Sequence, residues 1–169
     1  MQYTSAEANK LLKKLNEEKV LLNNDFRNKH SFIAAVEENV EDVRPEFDLT
    51  EYFNKLEKLN SDIQKVKHAI NIFNTTHFIM NMTIDMALVY IPMLSEEKRI
   101  LSGLAMGQEK ERVKESYGRT STHIEYKYAN YSISEAKDRL KKVTTELSDL
   151  QLALDCINNQ EKFDIDVEL

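Results

Sequence analysis

The chain has 169 residues, with 23 Lys and Arg against 29 Asp and Glu, a formal charge of −6 at pH 7. That length suits one domain with a real core, and the acidic balance argues against a nucleic-acid backbone as partner. Three glycines and two prolines exclude collagen-like, linker-rich and many-turned all-β chains, leaving long elements with few turns.

The first helix is expected over about residues 5–26. Thr4 can cap it while Glu7 reaches back, a capping box. Ala8, Leu12, Leu15, Leu22 and Phe26 follow at helical steps, with Lys19 interrupting the seam. Ser31 to Val36 reads as a weak strand, and Glu37, Glu38, Glu41, Asp42 and Glu46 make an acidic connection. A second capping pattern, Asp48 with Glu51, opens a helix over 49–76 whose apolar positions Leu56, Leu59, Ile63, Val66, Ile70 and Phe73 alternate three and four.

The third helix, over about 84–116, runs from Met86 to Ile91 with no polar face. A helix apolar all round is buried all round, so a second subunit is expected to cover what three other helices leave bare. Pro92 should kink it. Gly103 and Gly107 sit four apart and suggest close helix–helix approach, and Gln108 to Ser116 is dense in charge and solvated. Residues 122–129 alternate strictly, with Ile124, Tyr126 and Tyr128 on one side and His123, Glu125 and Lys127 on the other. This is a half-buried strand pattern. It is expected to pair with 31–36, its tyrosines turned to the helices. Ser132 and Glu135 cap a last helix over 133–159, where Ile133, Ala136, Leu140, Val143, Leu147, Leu150, Leu154 and Ile157 keep a 3-4 alternation throughout. Such a period implies supercoiled helices. Phe163, Ile165, Val167 and Leu169 alternate with acids and suggest a third short strand over 163–168. The expected fold is therefore mainly α: one antiparallel, coiled-coil-like bundle of about four helices over 1–169, with a small two- or three-stranded β element, forming a homo-oligomer.

Several strings resemble the septicolysin-like family of small bacterial proteins, over Leu11 to about Asp166. They are Asn71-Ile-Phe-Asn74-Thr75-Thr76, Thr83-Ile-Asp85-Met-Ala-Leu88, Tyr117-Gly-Arg119-Thr-Ser-Thr-His-Ile124 and the final helix ending Ile157-Asn-Asn. The resemblance implies a helical, multimeric protein and supplies no agreed activity.

Chemical signatures are few. None of His30, His68, His77 and His123 has a glutamate three residues before it, so the Glu-x-x-His pattern of di-iron bundles is absent. One cysteine, Cys156, builds neither a disulfide nor a structural zinc site. Glycine loops for phosphate and the Gly-x-Ser-x-Gly elbow are also missing. No catalytic residue, metal or cofactor is expected. The polar N-terminal stretch and the shortness of the longest apolar run, 86–94, lead to the expectation of a cytoplasmic protein without a membrane span.

One cluster rises above this background. Tyr117, Arg119, Thr120, Ser121, His123 and Lys127 combine a guanidinium, hydroxyls and aromatic faces, which suit an anionic, ring-bearing ligand. Asn74 and Thr75, at the polar end of the second helix, are expected beside them. The blander account is strand and turn composition, since tyrosine favours strands and Ser, Thr and Gly favour turns. The resulting expectation is a non-enzymatic, oligomeric binding protein holding a small anionic or nucleotide-like ligand between subunits, of which a phage-type signal sponge would be one form. The alternative is a coiled-coil scaffold with no small-molecule pocket, and membrane lysis ranks last.

Overall fold

The structure is a computed structural model that describes residues 1–113 and 124–167. It is a mainly α-helical bundle fold with three small two-stranded β elements. The chain gathers into two compact units, residues 1–77 with 156–169 and residues 78–155.

The first unit is built on α1 (Ser5–Lys29) and α3 (Leu49–Thr76). Thr4 and Glu7 form the expected capping box: the Thr4 amide donates to Glu7 Oε2 at 2.9 Å and the Glu7 amide to Thr4 Oγ1 at 3.2 Å. Asp48 Oδ1 accepts from the Thr50 and Glu51 amides and so starts α3. The two helices run antiparallel. Lys19 Nζ donates to Asn60 Oδ1, and the Tyr52 hydroxyl donates to Asn23 Oδ1, four residues further on in α1 and eight residues earlier in α3. Their shared core holds Ala8, Leu11 and Leu15 against Ile63, Val66 and Ile70. Leu11, not Leu12, is the more deeply buried of the neighbouring leucines.

The C-terminal tail completes this core. β6 (Lys162–Asp164) pairs antiparallel with β1 (Gln2–Thr4). The Met1 ammonium donates to Ile165 O and the Ile165 amide to Met1 O, which extends that ladder. Ile165 and Val167 then drop into the core, while Phe163 stacks on Phe73 at 4.7 Å between centroids. The expected strand near 163–168 thus exists, starting one residue earlier and ending at Asp164, with β1 as its partner.

Residues 31–36 form no strand; this segment is turn and irregular chain, followed by the single-turn α2 (Val40–Val43). Its alternation is short, and Ile33 and Val36 lie bare to solvent.

In the second unit, β2 (Phe78–Ile79) and β3 (Met82–Thr83) form a hairpin that leads into α4 (Ile84–Ala105). Its two central residues, Met80 and Asn81, both have positive φ, 46° and 73°, as a tight right-twisting turn requires. α4 stops at Ala105, eleven residues short of the expected end, because Lys110–Arg112 leave the helix to form β4. β4 pairs antiparallel with β5 (Tyr126–Tyr128), which is therefore not paired with 31–36. A strand joined to its partner by a short connection closes a smaller loop and loses less chain entropy.

α5 (Ile133–Gln160) starts under Ser132, whose hydroxyl accepts from the Glu135 amide at 3.2 Å. Residues 90–104 of α4 run antiparallel to residues 131–146, which include the first half of α5. Tyr90 donates to Glu146 Oε1 at 2.8 Å and Arg139 to Glu97 Oε1 at 2.6 Å, and the Tyr131 hydroxyl reaches Leu104 O at 3.0 Å. Hydrogen bonding to Glu146, then burial and that carboxylate's charge, hold the Tyr90 phenol above its usual value. Ile84, Ala87, Leu94 and Leu101 are the buried positions of α4, and Ala136, Val143, Leu147, Leu150 and Leu154 those of α5.

Met86, Leu88 and Val89 are exposed on this chain, so its own helices cover the apolar stretch only in part, as expected. The expectation about the glycines is corrected. Gly103 faces open space, and Gly107 lies beyond the helix, where an added Cβ would run into the Tyr131 hydroxyl. No small-residue helix crossing is built on this pair.

Candidate functional site

The candidate site is the β4–β5 ribbon. Residues directly opposite in an antiparallel pair share a face, and so do residues two apart on one strand. The register Lys110↔Tyr128 and Arg112↔Tyr126 therefore puts two cations and two tyrosines on one face. Glu111 and Lys127, also paired, take the other.

On the first face Lys110 Nζ stands 4.0 Å from the centroid of the Tyr126 ring and 5.5 Å from that of Tyr128. The rings are tilted against each other with centroids 6.4 Å apart. Tyr126 is 43% and Tyr128 62% exposed, and Ile124 is exposed too. The expectation that these three face the helices is thus corrected: a two-stranded ribbon has no second layer here to cover them. The ladder continues one step at each end, with the Val113 amide donating to Glu125 O and the Ala129 amide to Glu109 O. Backbone bonds therefore set the side-chain spacing of this face.

Chemically, an ammonium over two electron-rich ring faces is a cation–π arrangement, and a guanidinium beside it offers a planar fork for an anion. The arrangement can grip a small ligand that carries both negative charge and a flat ring. It provides no nucleophile with an adjacent base.

Of the residues expected at the site, Lys127 lies on the opposite ribbon face, exposed, across from Glu111. Asn74 and Thr75 belong to the first unit, at the end of α3, where the Thr75 hydroxyl donates back to Asn71 O at 2.9 Å. Tyr117, Arg119, Thr120, Ser121 and His123 fall in the connection from β4 to β5 and lie outside the described residues. Lys110 and Arg112 were missed by the sequence reading, which placed them in a solvated helix. The signal available was their spacing of two, which matches that of Tyr126 and Tyr128.

A groove of about 610 Å³ lies between α1 and α3 in the first unit, with Leu15, Leu22 and Leu59 among its walls and Asp62 beside them. Charged pairs line its rim, and nothing in it resembles a catalytic constellation. Among the described residues, no group of three or more His, Cys, Asp or Glu side chains is arranged to hold a metal ion. No helix of the described residues is long and apolar enough to cross a membrane. Cys156 is exposed and unbridged.

No family model matches the chain, and no curated protein matches it significantly. A solved structure does: the crystal structure of a functionally unknown conserved protein from Corynebacterium diphtheriae, with a TM-score of 0.60 and 20% identity. The match covers 97% of this chain and all of that one. At that identity the likeness establishes a shared fold.

Proposed function

We propose that the chain is a non-enzymatic binding protein that works as a homo-oligomer and holds a small anionic, ring-bearing ligand of the nucleotide kind. The observation that carries this reading is Lys110 lodged on the exposed Tyr126 and Tyr128 rings with Arg112 on the same face. Exposed tyrosines next to two cations suit stacking on a base and pairing with a phosphate. Arg119 and the hydroxyls of Thr120 and Ser121 lie in the connection between these same two strands, which adds candidate phosphate ligands close by in sequence. The resemblance to septicolysin-like proteins supports the multimeric part of the reading.

A thermal-shift screen with nucleoside mono-, di- and cyclic phosphates, followed by titration calorimetry on any hit, tests it. Lys110→Ala, Arg112→Ala and Arg119→Ala should each weaken binding by about 1.5–3 kcal/mol, the range for a charge-assisted hydrogen bond. A flat screen would sink the ligand reading. It would leave the scaffold reading, favoured by the bare apolar side of α4.

A further inference from the structure

Among the described residues Asp62 is the one acidic or basic side chain that is buried, at 8% exposed. It sits in α3 next to the core residue Ile63 and lines the groove of about 610 Å³ between α1 and α3. It forms no hydrogen bond or ion pair with any described residue. Its oxygens are not sealed away from solvent either, and the side on which they open is the groove. A carboxyl group taken this far out of water costs free energy unless something pairs with it.

Most other charges along the groove have partners. Lys14 pairs with Glu18 at 3.8 Å, Asp25 with Lys29 at 2.9 Å and Lys55 with Glu51. Lys58 is the exception. It lines the same groove one helical turn before Asp62, is exposed, and has no ion pair or hydrogen bond among the described residues. Residues four apart share a helix face, but a base that precedes its acid is the poorer order for pairing. One unpartnered acid and one unpartnered base thus stand a turn apart in a groove walled by Leu15, Leu22 and Leu59.

We propose that this groove binds a small apolar zwitterion, in which an ammonium and a carboxylate share one branched aliphatic body. Asp62 takes the ammonium, Lys58 the carboxylate and the leucines the body. Charge complementarity selects this ligand. A lone cation would leave Lys58 unanswered, and a lone anion would lie against the Asp62 carboxyl. A leucine-walled concavity of this size with two polar anchors is the ordinary form of a small-molecule site. Free apolar amino acids and short apolar peptides share the chemistry. The groove belongs to the first unit and the β4–β5 ribbon to the second, so this proposal does not depend on nucleotide binding.

Calorimetric titration of the full chain with leucine and with leucyl-leucine tests it. Saturable binding of at least one is expected at millimolar concentration or below, and the tighter of the two assigns the source, free amino acid or peptide. Isopentylamine, 4-methylpentanoate and glycylglycine lack the carboxylate, the ammonium and the apolar body in turn. Each should bind about tenfold or more weakly, because a site built around polar partners rejects a ligand that leaves one unmatched. Asp62→Asn keeps the side chain's shape and should lower affinity about tenfold, since a charge-assisted bond becomes a neutral one. Lys58→Gln, at an exposed position, should lower it roughly threefold, as a solvated charge contributes less. Circular dichroism checks that both variants fold. Should Asp62→Asn unfold, Lys58→Gln and the three analogues still decide the matter. Failure of both probes to bind, an amine that binds as well as leucine, or affinity unchanged in Lys58→Gln and Asp62→Asn overturns the proposal.

Discussion

At the scale of single residues, Thr4, Glu7, Met80 and Gly107 carry most of the local argument. Glu7 is held below the usual glutamate value, chiefly because its carboxylate accepts the Thr4 backbone amide. A carboxyl depressed in the folded state binds fewer protons than in the unfolded chain, so its contribution is complete above the ordinary glutamate value and is lost as pH falls through the lowered one. Acid unfolding curves should therefore be shallower in Glu7→Gln than in the wild type. Thr4→Ala should cost about 1 kcal/mol in a denaturant melt at neutral pH, the usual worth of a lost N-cap. Met80 stands at φ 46°, a conformation that costs a side chain roughly 1–2 kcal/mol. Met80→Gly should recover part of that and raise the melting temperature. Gly107 admits no Cβ beside the Tyr131 hydroxyl. Gly107→Ala should displace that ring, break its bond to Leu104 O and lower stability by about 0.5–1.5 kcal/mol.

At the scale of elements, the long helices were legible because caps and periodicity agree. Asp48 and Ser132 accept the amides expected of them, and α3 and α5 begin and end within a residue of where their patterns do. Phe73, 1% exposed, stacks on both His77 and Phe163. Phe73→Ala should cost about 3–5 kcal/mol, as large core truncations do, seen as a drop in denaturant midpoint. The third helix was read too long. Nothing in residues 106–113 forbids a helix except Gly107, and the ladder to Tyr126–Tyr128 that wins there is non-local. Half of the ribbon site was legible for the same reason: the tyrosine alternation shows in one strand, and the lysine and arginine opposite it only through the register.

At the scale of the whole molecule, the acidic chain repels anions in general, with a net charge of −6. Binding at the ribbon must then depend on its local cations. Affinity for a nucleotide should fall as salt rises from low to physiological ionic strength, because exposed charges are screened over about 10 Å at 0.1 M. Calorimetry at two salt concentrations reads this directly. The tail gives a second handle. Ile165 is buried among residues of α1 and α3, so Ile165→Asp should strongly destabilise the first unit by placing an unpaired charge in its core.

The sequence by itself determined α1, α3 and α5, their caps and most of the positions they bury. Those follow from hydrogen bonding within four residues and from a 3.5-residue hydrophobic period, both local quantities. Tertiary structure alone decided which strand meets which. Gln2–Thr4 pairs with Lys162–Asp164 and Lys110–Arg112 with Tyr126–Tyr128, while 31–36 pairs with nothing. Short strands satisfy their backbone groups on a neighbour, so their existence depends on which segment lies alongside and no window of local residues contains it. α4 shows the same division. Periodicity marks every apolar position from Met86 to Ile91, but only tertiary packing separates those the chain covers itself from those it leaves bare.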